Sequence, residues 1–156
     1  MTDPAELRHR AIAAHGETWA LLEKAGRTAA ETAHMIGLAH ESLLAWEAGG
    51  GPVEAQRGNW LVARAYVDAG LAEPALEYAR RTMELTEAHL AALSDFDLAF
   101  AREIAARAEG LAGNLDRALA HYASALKLGE AIADAGDRTE FFRQFARPPW
   151  FGVNGA

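Results

Sequence analysis

Two rows of charged and aromatic side chains are the strongest candidates for binding chemistry in this sequence. Within each row the residues are three or four positions apart, so in a helix they share one face. Arg and Trp contribute much of the binding energy at recognition surfaces, and a guanidinium holds a carboxylate or phosphate with two parallel hydrogen bonds. The rows therefore predict a surface that binds an anionic group. They consist of Arg57, Trp60, Arg64 and Asp68, and of Phe100, Glu103 and Arg107.

The same rows have a purely structural interpretation. Arg57 and Arg64 could pair with Glu54, Asp68 or Glu103 inside the scaffold, since many charge rows are solvated faces with little binding role. Asp97 also has two interpretations. It lies in Asp95-Phe96-Asp97, where a carboxylate suits a helix N-terminus, and it could instead reach Arg57 or Arg64 as an acid or base.

Histidine and cysteine content bears on metal and catalytic sites. Glu6–His9 and Glu31–His34 both have the Glu-x-x-His spacing of di-metal bundles. Pairing two helices about a turn at Gly26 would separate these motifs by about 14 Å, which is too far for one site. No metal and no cofactor are predicted. His40, with Trp46 nearby, is the better candidate to line a pocket.

The sequence shows no catalytic motif. It has no Cys, which excludes a thiolate nucleophile and a Cys-based zinc site. No Ser-His-Asp pattern or Gly-rich phosphate loop is present. The net charge of −7 argues against a nucleic-acid partner. No run is long enough to span a membrane, and the N-terminal residues do not resemble a signal peptide. A cytoplasmic binding protein is therefore expected, and any enzymatic activity is left open.

These side chains must be positioned by helices. The chain is rich in Ala, and it has no runs of alternating β-branched residues, so an all-α fold is predicted. Residues 1–146 are expected to form a single domain, followed by an aromatic, Pro-containing tail at 147–156. Thr28 and Glu31 form a capping box. Helices are predicted over about 4–24, 28–49, 53–69, 73–89, 95–111 and 116–135, the last ended by Gly136, with a short helix at 138–146.

Six helices joined by short turns predict three stacked antiparallel hairpins. The two clearest turn glycines, Gly70 and Gly113, are 43 positions apart, which indicates a repeat. The first hairpin shows the pattern less clearly than the other two.

The spacing around these glycines resembles the tetratricopeptide repeat (TPR). An aromatic residue precedes Gly70 by four positions, and a small residue follows it by five. The second copy has Glu109 at the aromatic position, and the 43-residue interval exceeds the usual length of about 34. The resemblance covers residues 57–130 and extends to a group of short uncharacterised bacterial TPR-like proteins. The matching residues are Tyr66, Gly70, Ala75, Tyr78 and Met83, then Gly113, Ala118, Tyr122, Ala125 and Leu126.

The resemblance implies an α-solenoid with lengthened repeats and a short C-terminal capping segment. It also implies a concave groove that holds an extended peptide. The first functional hypothesis is thus an adaptor that binds an acidic or carboxylate-ended peptide of a protein partner, through Arg57, Trp60, Arg64, Glu103 and Arg107. The alternative is a pocket in the helical stack for a small anionic ligand, conceivably catalytic. Its polar groups would be His40, Arg57, Arg64, Asp97 and Glu103, and its walls Trp46, Trp60 and Phe100.

The C-terminal region concentrates aromatic residues. Phe141, Phe142 and Phe145 are expected to cap the last hairpin, because the end of a solenoid needs a cover. Trp150 and Phe151 follow two prolines and could fill a groove, either of their own chain or of a neighbour. A homodimer through this tail is therefore a further expectation.

Overall fold

Seven α-helices account for most of residues 3–155, which are the residues that the computed structural model describes. No β-strand occurs in this range, and the all-α prediction is confirmed. The terminal positions 1, 2 and 156 of the predicted domain and tail lie outside the described residues. The helices are α1 Pro4–Glu23, α2 Ala29–Gly49, α3 Pro52–Ala69, α4 Ala72–Ala88, α5 Asp95–Leu111, α6 Leu115–Glu130 and α7 Ala135–Phe145, with a short 3-10 turn at Leu90–Ala92.

Local signals define most of the helix ends. The Thr28 hydroxyl accepts from the Glu31 amide, and the Glu31 carboxylate accepts from the Thr28 amide, which completes the predicted capping box of α2. Gly70 has φ 75° and Gly113 has φ 84°, in the left-handed region that glycine adopts without a steric penalty. Gly26, between α1 and α2, shares this conformation. The turns within the three helix pairs therefore form where the glycines predicted them.

Each of the first six helices packs against the next one in the chain. In addition, α3 contacts both α1 and α5. The helices α1, α3 and α5 therefore lie side by side with α3 in the middle, an arrangement compatible with a helical repeat. The small residues that follow two of the turn glycines, Ala75 and Ala118, are completely buried between helices.

The fifth helix begins at Asp95 as predicted, and Ser94 caps it, because the Ser94 hydroxyl accepts from the Asp97 amide. One predicted boundary is wrong. The sixth helix ends at Glu130 instead of Ala135, and Gly136 lies within α7. The Asp134 carboxylate accepts from the Asp137 amide at 2.8 Å and starts α7 there. Arg138 then donates to the Ile132 carbonyl and fixes the turn. The sequence predicted a break between two helices in this region but placed it at Gly136, whereas the break lies between Glu130 and Ala135.

The helix α7 packs closely on α6 at Gly129. A Cβ atom added to Gly129 would lie 2.3 Å from Phe141 Cε2. Phe141 is completely buried and meets Phe100 edge-on, with ring centroids 4.9 Å apart. Phe145 is also buried, and Phe142 is half-buried.

Replacing glycine by alanine should have opposite effects at two helical positions. Gly129→Ala is expected to lower the free energy of unfolding by about 1–3 kcal/mol, because Phe141 has no free space to move into. Gly37→Ala is expected to raise it by up to about 1 kcal/mol, since Gly37 lies within α2 with open space at its Cβ position. Urea unfolding of both variants measures the difference. Equal effects would contradict the close packing at Gly129.

The membrane prediction concerns helix length and polarity. Across residues 3–155, none of the helices has the apolar stretch that crossing a bilayer requires.

Candidate functional site

A cavity of about 290 Å³ lies where the three side-by-side helices meet α7. The helices α1, α3 and α5 each contribute residues to its wall, and α7 closes one side. We call it the aromatic pocket. It is lined by His15, Trp19, Gln56, Arg57, Trp60, Phe96, Asp97, Phe100, Glu140 and Gln144.

Four aromatic rings form the apolar walls of the pocket. Trp19 and Trp60 are stacked, with centroids 5.6 Å apart and planes 21° from parallel. Phe100 meets Trp60 edge-on at 5.4 Å, and Phe96 meets Phe100 at 4.7 Å. Aromatic side chains in offset or edge-on pairs support each other. These walls are therefore held in place by contacts with one another and present flat apolar surfaces to the cavity.

Arg57 is the charged group at the edge of the pocket. Its Nε donates to Asp97 Oδ1 at 2.8 Å and its Nη2 to Asp97 Oδ2 at 3.2 Å. Asp97 is only 3% exposed, whereas the Arg57 side chain is 53% exposed. This hydrogen bonding raises the pKa of Arg57. No hydrogen bond within residues 3–155 uses Nη1 of Arg57, so the anchored guanidinium keeps donors for a ligand.

His15 contributes a neutral ring to the pocket. Trp19 Nε1 donates to His15 Nε2 at 3.0 Å, so the ring proton of neutral His15 is on Nδ1. Burial lowers the pKa of His15, and the nearby positive charge of Arg57 lowers it further. At neutral pH, His15 is therefore an uncharged hydrogen-bond donor.

Acid should weaken the fold through its histidines. The pKa values of His15, His40 and His121 are lowered from 6.5, in each case mainly by burial. A lowered pKa means that the unfolded chain binds the proton more readily, so this stability is present above about pH 6.5 and is lost as pH falls through the folded-state pKa. Urea unfolding at pH 7.5 and pH 5.0 should show the loss. The variant His15→Gln retains an acceptor for Trp19, and it should lose less unfolding free energy than the unmodified protein between pH 7.5 and pH 5.0. If the two proteins show the same pH dependence, His15 does not contribute to it.

A buried ion network lies behind the pocket. Glu103, fully buried, accepts hydrogen bonds from Trp60 Nε1 at 3.0 Å, from Arg64 Nη1 at 3.3 Å and from Arg107 Nε. Arg64 Nε also donates to Asp68 Oδ1 at 2.8 Å. We call Arg64, Asp68, Glu103 and Arg107 the buried ion network. Through Trp60, its central carboxylate is connected to the wall of the aromatic pocket.

Backbone carbonyls of the C-terminal region complete this network. Arg107 Nη1 donates to the Arg147 and Pro149 carbonyls, both at 2.8 Å, and Nη2 donates to the Gln144 carbonyl at 3.0 Å. Arg64 Nη2 donates to the Pro148 carbonyl at 3.1 Å. Burial lowers the pKa of Arg107 to about 10, so it remains charged at neutral pH.

The Trp150 ring covers the network. It lies 4.0 Å from the Arg107 guanidinium carbon, and its indole N–H donates to the Phe145 carbonyl at 2.8 Å. The tail, of which residues 147–155 are described, thus lies on Arg64 and Arg107. Its polar backbone atoms meet the guanidinium groups that the sequence analysis assigned to an external anion.

No family model, curated protein or solved structure matches the chain. The site is accordingly interpreted from its own geometry.

The structure divides the predicted site residues into three groups. Arg57, Trp60, Asp97 and Phe100 meet in the aromatic pocket. Arg64, Glu103 and Arg107 lie beside it in the buried ion network, under the tail. Asp97 caps α5 with Ser94 and also anchors Arg57, and a role as an acid or base stays a prediction.

His40 and Trp46 form the third group and do not line the aromatic pocket. His40 Nε2 lies 2.7 Å from the Tyr66 hydroxyl, and its ring meets Tyr66 and Tyr78 edge-on. Trp46 packs with Ala11 and Ala45, and the guanidinium of Arg8 lies over its ring. Trp46 lines a neighbouring cavity that shares His15 and Arg57 with the aromatic pocket. His40 lines a separate cavity between α1 and α2.

Several pocket residues had no signal strong enough to be found from the sequence. His15 and Trp19 are four positions apart, as are Glu140 and Gln144, so each pair shares a helical face. Nothing in their local sequence showed that these faces meet α3. Ion pairs join α7 and the tail to the end of α1, with Arg143 Nη2 3.5 Å and Arg147 Nη1 3.6 Å from Glu23 Oε1.

Residues 3–155 contain no group of three or more His, Cys, Asp or Glu side chains placed to hold a metal ion.

Proposed function

We propose that the protein binds a small, flat, anionic molecule in the aromatic pocket. The observation that carries the proposal is the pairing of Arg57 with Asp97 at the edge of four aromatic rings. This pairing fixes the orientation of the guanidinium before a ligand arrives and leaves Nη1 available. A pre-oriented group loses less conformational freedom on binding, which favours affinity.

The charge balance at Arg57 favours an acidic group on the ligand. Asp97 lies in the first turn of α5, and its carboxylate also accepts from the Ser94 amide and hydroxyl. Helix N-termini stabilise negative charge. Part of the Asp97 charge is therefore compensated by α5, and Nη1 of Arg57 is left as the donor for an acidic group.

The size of the pocket favours a small ring system. A volume of about 290 Å³ lies at the lower end of the range for small-molecule sites, roughly 300–1,000 Å³. The stacked Trp19 and Trp60 rings and the edge-on Phe rings suit a planar ligand. One or two fused aromatic rings that carry a carboxylate fit these requirements.

Titration with two matched probes tests this function. Naphthalene-2-carboxylate should bind and change the fluorescence of the pocket Trp residues, whereas naphthalene-2-carboxamide, which lacks the charge, should bind about tenfold or more weakly. Arg57→Gln should remove the preference. Arg10→Gln, which also removes an exposed guanidinium, is the control and should retain it. Failure of the carboxylate to bind at millimolar concentration would reject the proposal.

The repeat arrangement belongs to the same proposal. We interpret the helix pairs α1–α2, α3–α4 and α5–α6 as TPR-like hairpins. The left-handed turn glycines, the buried Ala75 and Ala118, and the contacts of α3 with both α1 and α5 support this interpretation. In it, α7 and the tail cover the concave side, which leaves room for a small ligand.

A second candidate function is the peptide adaptor of the sequence analysis. The observation in its favour is that Arg64 and Arg107 already hold the backbone carbonyls of residues 147–149, which lie outside the helices. A partner peptide with a terminal carboxylate could replace the tail there. A cytoplasmic location and a homodimer through the tail likewise stay predictions.

The adaptor function is tested by measuring whether a peptide displaces the tail from Arg64 and Arg107. The indole N–H of Trp150, which donates to the Phe145 carbonyl, gives a separate NMR signal. A five-residue acidic peptide with a free C-terminal carboxylate should shift this signal, and the same peptide with an amidated end should not. An unchanged Trp150 signal at saturating peptide would exclude displacement of the tail.

A further inference from the structure

The orientation of the Gln56 side chain in the aromatic pocket is fixed by its partners. Gln56 Nε2 donates to Thr86 Oγ1 at 3.2 Å and to the Asp97 carbonyl at 3.3 Å. The Thr86 hydroxyl proton is already used, because it donates to the Thr82 carbonyl at 2.6 Å. A flipped amide would place Oε1 against two acceptors, so only the present orientation satisfies the contacts.

This orientation leaves the Gln56 carbonyl oxygen without a partner in the protein. No hydrogen bond within residues 3–155 reaches Oε1. Gln56 as a whole is only 2% exposed. Within residues 3–155, the side-chain atoms that are both fully buried and without a hydrogen-bond partner are Arg27 Nε and Asn59 Oδ1. Gln56 Oε1 is not among them, so this oxygen retains some exposure. Gln56 lines the aromatic pocket and its Nε2 is turned to Thr86 and Asp97, so we assign the remaining access of Oε1 to this cavity.

Other acceptors of the pocket already have donors. Asp97 accepts from Arg57 and Ser94, and Glu140 at the mouth accepts from Arg143 and Gln144. His15 Nε2 accepts from Trp19. Gln56 Oε1 is thus a nearly buried acceptor that only a ligand or a water molecule can satisfy, and it belongs to the residue next to Arg57.

From these contacts we infer that the ligand is a heteroaromatic acid whose ring N–H lies beside its acidic group, as in pyrrole- and indole-type carboxylates. The ring N–H donates to Gln56 Oε1, and the carboxylate accepts from Arg57. The inference rests on the proposed function and narrows its ligand class. A site built to receive a hydrogen bond discriminates against a ligand that lacks the donor, because the buried acceptor is then left unpaired.

Two probes of almost the same shape test the inference on the unmodified protein. Indole-2-carboxylate has the ring N–H beside the carboxylate, and benzofuran-2-carboxylate has an oxygen in its place. Calorimetric titration should show about tenfold tighter binding of the indole, the difference expected for one net hydrogen bond. Equal binding, or tighter binding of the benzofuran, overturns the inference and leaves the proposed function in place. If neither probe binds, both the inference and the proposed function are rejected.

Variants assign the preference to the Gln56 oxygen. Gln56→Met keeps the length of the side chain and should abolish the preference for the indole probe while both probes still bind. Thr82→Val keeps the backbone carbonyl that Thr86 donates to and leaves Gln56 and both partners of its Nε2 in place, so it is the matched control and should retain the preference. If Gln56→Met does not fold, the comparison of the two probes on the unmodified protein still decides. A folded Gln56→Met that keeps the full preference would overturn the assignment.

Discussion

Glu103→Gln is expected to lower the free energy of unfolding by about 3–5 kcal/mol. Glu103 is fully buried and accepts three hydrogen bonds, two of them from the guanidinium groups of Arg64 and Arg107. Glutamine has one acceptor oxygen instead of two and no charge. Its amide N–H₂ group would face a guanidinium donor. The buried Arg107 would lose the carboxylate with which it pairs, and Arg64 would be left with Asp68.

Equilibrium urea unfolding measures this effect, and an exposed pair supplies the control. Arg81 Nη2 is 2.7 Å from Glu77 Oε1, but both side chains are about half exposed. Glu77→Gln should therefore change the free energy of unfolding by about 1 kcal/mol or less. The comparison isolates burial, because both substitutions remove one carboxylate that is paired with Arg. Similar values for the two variants would show that the network around Glu103 is not buried.

The sequence predicted those parts of the fold that depend on near neighbours. The capping box of Thr28 and Glu31 and the turn at Gly70 need only residues within one or two helical turns. The common face of Arg57, Trp60 and Arg64 follows from helical spacing alone. These features were recovered because the chemistry that causes them is contained in a short segment.

The position of the tail could not be predicted in the same way. Arg64 and Arg107 have the spacing of a binding row, but four of their acceptors are backbone carbonyls of residues 144–149. Every residue has a carbonyl, so such a partner leaves no pattern in the sequence. The role of Gly129, which lets Phe141 approach α6, depends on a neighbour twelve positions away and was also invisible.

The aromatic pocket was predicted in part for a related reason. Arg57 and Trp60 come from α3, and Asp97 and Phe100 come from α5. Spacing within each helix indicated the residues that share a face. His15 and Glu140 come from α1 and α7, whose positions depend on long-range contacts such as the pairing of Arg143 with Glu23. The pattern within a helix shows which residues share a face, and only the packing shows what that face meets.

Trp150→Ala is expected to cost about 3–5 kcal/mol of stability, as is typical of a buried Trp. Trp150 is 3% exposed, stacks on the charged Arg107 and meets Tyr122 and Phe145 edge-on at 5.0 and 5.1 Å. Its removal would leave a cavity above Arg107 and admit water to the buried ion network. Urea unfolding monitored by helical circular dichroism measures the change.

Phe151→Ala is the matched control in the same segment. Phe151 is 41% exposed and its backbone has φ 54°. Because alanine is as restricted as phenylalanine in the left-handed region, the backbone term is unchanged, and the expected loss is about 0.5 kcal/mol or less. A large loss of stability for Trp150→Ala with a small loss for Phe151→Ala would therefore show that the tail is packed on the helices at Trp150. Should both variants be equally mild, the tail would not be docked in solution, Arg64 and Arg107 would face an open groove, and the peptide adaptor would become the better explanation of their spacing.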